Sequence, residues 1–462
     1  MNYLATGKVA YPKVSIYAFH LWRNLAQGIE NPVKNAKDLW LKFQEVGQTL
    51  NTPELKKLPE LIETNNHQLG KNGELLPRYL RFSETPQSNN LNLTGEILPL
   101  QIHDTYAVDC TLRYQKPEVK IADLKGLNKD NCLLPNNINA SLGQTLVFFA
   151  TPLEEFENQE SLQSFADDCV KALISEKKFQ KLEIYCQNQG KLLGSPIFEY
   201  NNDNNSPEEQ CHILIWLNTN PQTTELENTG EYYYPLINLL LCRSKIVYVH
   251  HQANWCNRQA RREYIKLENI VKEFNCIPNE DLNSCLDKFQ VWLKNTPDKS
   301  FKYARNIRDL QLHRTTIITN TTNYKLHLQE INKLYNNDSQ FLLDFLKLAQ
   351  KTYIQQITTD LAYLIPGQKL FENMVETIRG IVEIEEAKRD RSLERTIQVI
   401  GAGLGSGAII GGAVTQHIDK PFKPLDSKSP VHPMIPSLFW SIVATIAGGL
   451  LTWLWIRRAG KN

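Results

Sequence analysis

The chain has 462 residues, more than one compact core holds and enough for two or three domains at roughly 150 residues each. Its 51 Lys and Arg against 50 Asp and Glu leave a net charge of +1, which argues against nucleic acid as a partner held by bulk positive charge. With 42% hydrophobic and 22% charged residues the bulk is globular, and a mean hydropathy of −0.39 excludes a protein that is mostly membrane.

The first residues lack the unbroken apolar core of an export signal, since His20 and Arg23 interrupt 14–25. The bulk of the chain is therefore expected to stay on the side of the membrane where it is made. Residues 11 to about 90 read as short amphipathic helices. Tyr17, Leu21 and Leu25 repeat with helical spacing, as do Leu39, Phe43 and Val46. The nine cysteines are an odd number with no C-x-x-C pair, which predicts reduced, buried thiols rather than a disulfide framework.

From residue 92 the pattern turns to strands. Residues 106–114 alternate, 145–150 form a short apolar run ended by Pro152, and 161–174 have helical spacing through Leu162, Phe165, Cys169 and Leu173. Strands follow at 182–186, 197–200 and 212–217, with Gly190 marking a turn, and the polar loop 201–207 carries no visible chemistry. Short strands around a helix predict a small α/β layer. An enzyme hidden in 92–250 would need a pocket with convergent polar groups.

Beyond residue 231 everything favours helix: 232–242, 245–274, 281–293, 303–334 and 341–364. Pro366-Gly367 punctuates the last of these. A long helix is then expected from near Lys369, with Leu370, Met374, Thr377, Ile381 and Ile384 on one seam and Phe371, Val375, Ile378 and Val382 on the next. His250, His251 and Cys256 lie close together, but no second cluster completes four metal ligands, so this stretch reads as structural helix.

Residues 396–414 are uncharged for 19 positions and 437–456 for 20, each close to the roughly 20 residues that span a bilayer. Lys388, Arg389, Arg391 and Arg395 precede the first run, and Arg457, Arg458 and Lys461 follow the second. Only Lys420, Lys423 and Lys428 lie between, which places both chain ends in the cytoplasm of a two-span, multi-pass membrane protein. Trp453, Trp455, Phe439 and Trp440 suit the membrane interfaces. Gly403, Gly407 and Gly411 form GxxxGxxxG on one helix face, beside Gly401, Gly405, Ala408 and Gly412 on another. Such small faces let helices approach closely in lipid, so the first span is expected to touch neighbours on both sides, as in a ring. The same glycines mimic a dinucleotide fingerprint. However, the segment before them is a charged helix rather than a strand, and Pro421 and Pro424 stand where a second strand is needed.

This order of a cytosolic α/β domain, a long helix over 369–414, the hairpin 396–456 and a basic tail resembles the CorA-type magnesium-channel superfamily. Residues 239–251 (LLLCRSKIVYVHH) add a weaker likeness to that family's junction between its α/β and helical parts. The resemblance implies a homopentameric funnel with the first span lining the pore. The family's Gly-Met-Asn signature is absent, and 413–417 reads Ala-Val-Thr-Gln-His instead, so no selectivity residue carries over.

The expected architecture is α+β: an N-terminal helical segment (1–91), a cytosolic α/β domain (92–244), a helical region and stalk (245–395), a transmembrane hairpin (396–456) and a basic cytosolic tail (457–462). Pore-lining candidates are the hydroxyls of Thr396, Ser406 and Thr415, with Ile400 and Leu404 as an apolar constriction and Asp419 at the mouth. Glu376, Glu383 and Asp390 recur every seven residues and would stack as acidic rings in an oligomer, suited to a divalent cation such as magnesium that keeps its waters. Expected partners are membrane lipid, copies of the chain itself and an inorganic cation. No enzyme motif is present, and a membrane-anchored sensor whose hairpin is only a tether is the alternative function.

Overall fold

A computed structural model describes residues 7–23, 32–64, 73–75, 79–84, 91–204, 206–276, 282–335 and 339–386. The fold is α+β, a β-sheet domain followed by a long helical stretch. The chain divides into two compact units, one of Met1–Glu268 with Asp298–Leu370 and one of Asn269–Pro297 with Phe371–Asn462.

Strand β1 (Lys8–Leu21) is followed by α1 (Asp38–Thr49), α2 (Pro53–Lys56) and α3 (Leu58–Thr64). Next come β2 (Leu80–Ser83), β3 (Leu93–Ile102), β4 (Thr105–Tyr114), β5 (Glu118–Lys120), a 3-10 segment at Ile121–Asn131 and α4 (Pro135–Ile138). The layer continues with β6 (Gly143–Pro152), α5 (Gln159–Ile174), α6 (Glu176–Lys181), β7 (Tyr185–Leu192), β8 (Ser195–Asn201), β9 (His212–Leu217) and α7 (Pro221–Thr229). The helical stretch comprises α8 (Tyr233–Cys276), α9 (Leu282–Leu334), α10 (Gln340–Leu348), a π-helical turn at Ala349–Tyr353 and α11 (Ile354–Glu386).

The first unit is built on a nine-stranded sheet of order β2-β3-β4-β1-β6-β9-β8-β7, with β5 pairing the start of β1. Only β6 and β9 run parallel; the connection between them carries α5, α6, β7 and β8. Here the expected N-terminal helical segment is corrected in part: residues 8–21 are a central strand, whereas Leu39, Phe43 and Val46 lie on the buried face of α1 as their spacing predicts. The spacing of Tyr17 and Leu21 was misleading for a physical reason. β1 is buried on both faces over most of its length, so its hydropathy does not alternate. Val14, Ile16 and Ala18 join a core that includes Leu39 and Phe43 of α1 and Phe165 and Cys169 of α5. Alternation sends Ser15, Tyr17 and Phe19 to the other face, where Ser15 Oγ lies 2.6 Å from Thr111 Oγ1. That second face meets the start of α8, and Trp216 of β9 stands edge-on to Tyr232 at 5.6 Å.

The α5 helix has a complete capping box: Asn158 accepts from Ser161 N at 2.8 Å, and Ser161 Oγ in turn accepts from Asn158 N. Among the described residues the seven cysteines with described surroundings are unpaired, and all but Cys186 are buried.

Three helix boundaries differ from the sequence expectation. Residues 232–242 and 245–274 merge into α8, and 281–293 and 303–334 merge into α9, which passes through Pro297. Pro366-Gly367 does not end a helix either, since α11 runs through it. Proline removes one backbone hydrogen bond but does not forbid continuation when neighbours hold the turn. Tyr303 Oη donates to Leu364 O at 2.6 Å beside it. A Cβ on Gly367 would lie 2.8 Å from both Tyr303 Oη and Tyr264 Cε2. The dipeptide marks a close approach of helices rather than a stop.

In the second unit, Phe371, Met374 and Ile378 of α11 are buried with three- and four-residue spacing. Phe289 and Trp292 of α9 are buried as well, with ring centroids 5.8 Å apart. Leu370 is 45% exposed, so the expected first seam does not begin there.

Candidate functional site

The sheet's register places a row of polar side chains on the face that meets α8. Thr145 of β6 pairs with His212 of β9, and Asn188 of β7 pairs with Glu199 of β8. Glu199 lies opposite Leu214, which makes His212 its diagonal neighbour. Four adjacent strands thus carry one network. Thr145 Oγ1 lies 2.8 Å from His212 Nδ1, His212 Nε2 3.0 Å from Glu199 Oε1, and Asn188 Nδ2 donates to Glu199 Oε2 at 2.8 Å.

Helix α8 closes the network with Arg243, whose Nη2 donates to Glu199 Oε1 at 3.2 Å. The guanidinium carbon lies 5.1 Å from the centre of the Phe345 ring on α10, within cation–π range. Both charges are buried. Burial alone would raise the Glu199 carboxyl, but the bond from His212, the charge of Arg243 and the bond from Asn188 outweigh it and hold the pKa at about 2. Burial, aided by Arg243 and opposed by Glu199, lowers His212 to about 4. At neutral pH the imidazole is therefore uncharged. It donates Nε2–H to the carboxylate and accepts the Thr145 hydroxyl at Nδ1.

Above this floor lies a cavity of about 680 Å³. One wall is a stripe of α8: Arg243, Val247, His250, His251, Asn254 and Arg258, spaced so that they share a helix face. The opposite wall is Asp344, Phe345 and Leu348 of α10 with Tyr353 of the π turn. His250 and Tyr353 stack with ring centroids 3.8 Å apart and planes 10° from parallel. Burial, helped by the neighbouring His251, lowers His250 to about 4, so this ring is also neutral at pH 7.

The rim comes from the loop after β8, which the sequence had marked as carrying no chemistry. Asn201, Asp203 and Asn204 line the cavity. Asn202 Oδ1 accepts from Cys211 N at 2.9 Å and Asn204 Oδ1 from Ser206 N at 2.9 Å, which fixes the loop's course. Tyr185 donates to Asp203 at its edge. The lining contains carboxylates, carboxamides, imidazoles and guanidinium groups; no serine, threonine, cysteine or lysine nucleophile is among the described lining residues. Cys186 stands near Asn188, but burial raises its thiol to about 11, which leaves it protonated.

The residues singled out from the sequence lie elsewhere. Glu376 and Glu383 are exposed on α11, while Asp390 lies outside the described residues. So do Thr396, Ile400, Leu404, Ser406, Thr415, Asp419, Gly403, Gly407 and Gly411. Among the described residues no group of three or more His, Cys, Asp or Glu is placed to hold a metal ion, and no helix is long and apolar enough to cross a membrane. Set against family models, curated proteins and solved structures, the chain matches none.

Sequence reasoning missed Glu199, His212 and Arg243. Glu199 and His212 are each a single charged or imidazole residue in a mostly apolar run (PIFEY, CHILIW), and Arg243 follows the apolar run LLLC; that local inconsistency was the available signal.

Proposed function

We propose that the chain is an oligomeric membrane protein resembling CorA-type cation channels, in which the α/β unit regulates a pore formed by residues 396–414. The observation that carries this reading is the pair of uncharged runs, 19 and 20 residues long, flanked on their outer ends by Lys and Arg. Helix α11 supports it further: it is continuous from Ile354 to Glu386, two residues short of Lys388, the first of the basic residues that precede the first run. In this reading Ile400 or Leu404 narrows the pore, Thr396, Ser406 and Thr415 meet a hydrated cation, and Asp419 raises cation concentration at the mouth. With the Gly-Met-Asn signature absent, the permeant cation is not tied to magnesium. Cation flux into liposomes tests the reading. An inserted oligomer that passes no mono- or divalent cation would reject it.

A second reading is favoured by the cavity on the α/β unit: a membrane-anchored sensor whose hairpin only tethers it. Substitution Gly407→Leu separates the two. A tether keeps its anchoring and its ligand response, whereas a tightly packed pore loses assembly or conduction.

A further inference from the structure

Arg243 is 6% exposed, yet only one of its N–H groups has an acceptor among the described residues, the bond from Nη2 to Glu199. A guanidinium carries five such donors, and the other nitrogens of Arg243 are not among the fully buried atoms that lack a partner, so they are open to the cavity. The side chain also lines the cavity, so its remaining donors are available to an acceptor held there.

Charge decides which acceptor fits. Arg243 and Arg258 face Glu199, Asp203 and Asp344, and Lys347 pairs with Asp344 at 2.9 Å, so these charges sum to zero; the two histidines add nothing at neutral pH. A phosphate dianion would bring two charges to a lining with no excess of cations. A carboxylate brings a single charge and a planar pair of oxygens that matches the guanidinium fork. The rest of the lining suits a polar body. Gln210 and Asn254 offer amides, and Asp344, whose Oδ1 accepts from Gln340 and Lys347, offers Oδ2 to a hydroxyl or ammonium group. The His250–Tyr353 stack supplies a flat wall.

We propose that this cavity binds a small monocarboxylate bearing hydroxyl or amino groups, with its carboxylate on the free donors of Arg243. The site stands on the cavity alone and does not depend on the membrane reading.

The test is calorimetric titration of the detergent-purified full chain with lactate, L-serine, lactamide and inorganic phosphate, each at up to about 10 mM, a range that detects millimolar affinity. Heat with lactate or L-serine, and none with lactamide, is expected; which of the two binds distinguishes a hydroxy acid from a zwitterion. The Arg243→Gln variant should weaken binding about tenfold or more. Because that variant disturbs a buried pair, Val247→Trp serves as a second, filling the cavity without touching the charges, and should abolish the heat. No heat with either carboxylate overturns the proposal. So does equal heat with lactamide, stronger binding of phosphate, or undiminished binding by Val247→Trp.

Discussion

Glu199 on β8 and Arg243 on α8 meet at 3.2 Å, and each side chain is less than a tenth exposed. Such a pair contributes little beyond what a well-packed apolar pair would, but breaking it strands a charge indoors. Glu199→Ala should destabilise the fold by about 3–5 kcal/mol. The double variant Glu199→Gln with Arg243→Met should lose clearly less than the two single losses added together. Thermal unfolding of the four proteins forms the cycle; additive losses would show that the two charges do not act as a pair.

Acid should weaken the same region, and the sign can be worked out. His212 titrates near 4 when folded and near 6.5 otherwise, so the unfolded chain binds more protons between these values and stability falls as pH drops through that window. Glu199 adds a further loss from its ordinary value of 4.5 down towards about 2. Asp109, raised to about 6 by burial, acts in the opposite direction, because its folded form takes up a proton first. Comparison with His212→Gln isolates the histidine. Between pH 6.5 and 4 the wild type should lose more stability than the variant; parallel curves would contradict the assignment.

Gly194, in the turn between β7 and β8, has φ +90°, and a Cβ there would lie 2.5 Å from Asn220 Nδ2 and 2.7 Å from the Tyr335 ring. Both the backbone conformation and the space require glycine. Asn220 caps α7 and also donates to Tyr335 Oη at 3.1 Å, so the cost spreads to two neighbours. Gly194→Ala should lower stability by roughly 1–3 kcal/mol, read as a drop in the denaturation midpoint.

Two glycines of α11 should respond with opposite signs. Inside a helix, glycine to alanine ordinarily stabilises by up to about 1 kcal/mol. Gly380 has nothing within 4 Å of a built Cβ, so Gly380→Ala should follow that rule. Gly367 faces Tyr264 and Tyr303 at 2.8 Å, so Gly367→Ala should destabilise instead. Equal shifts in melting temperature for the two variants would contradict the close approach.

Sequence periodicity revealed those elements whose surroundings differ from one side to the next. The spacing of Leu162, Phe165, Cys169 and Leu173 located α5, because that helix buries one stripe and exposes the other. β9 was legible as a short run, apolar after His212 and bounded by polar loops. β1 was not legible, since a strand covered on both faces has no period to read. β3 carries Pro99 within it, a residue that on local grounds disfavours a strand interior. The cavity floor was hidden for another reason. Thr145, Asn188, Glu199, His212 and Arg243 come from five separated segments, and only strand register brings the first four into one row. No local motif encodes register.

The π turn at Ala349–Tyr353 acts as an angular setting on everything that follows it. Each residue of an α-helix advances about 100° around the axis, so one residue more or fewer here re-aims the turns of α11 that follow within the first unit. A chain lacking one residue of this turn would swing Tyr353 off His250 and rotate the buried stripe of Ile357, Leu361 and Leu364 by the same angle. The azimuth of that helix face and the shape of the cavity wall are dialled by a single pentapeptide, so neither can drift without the other.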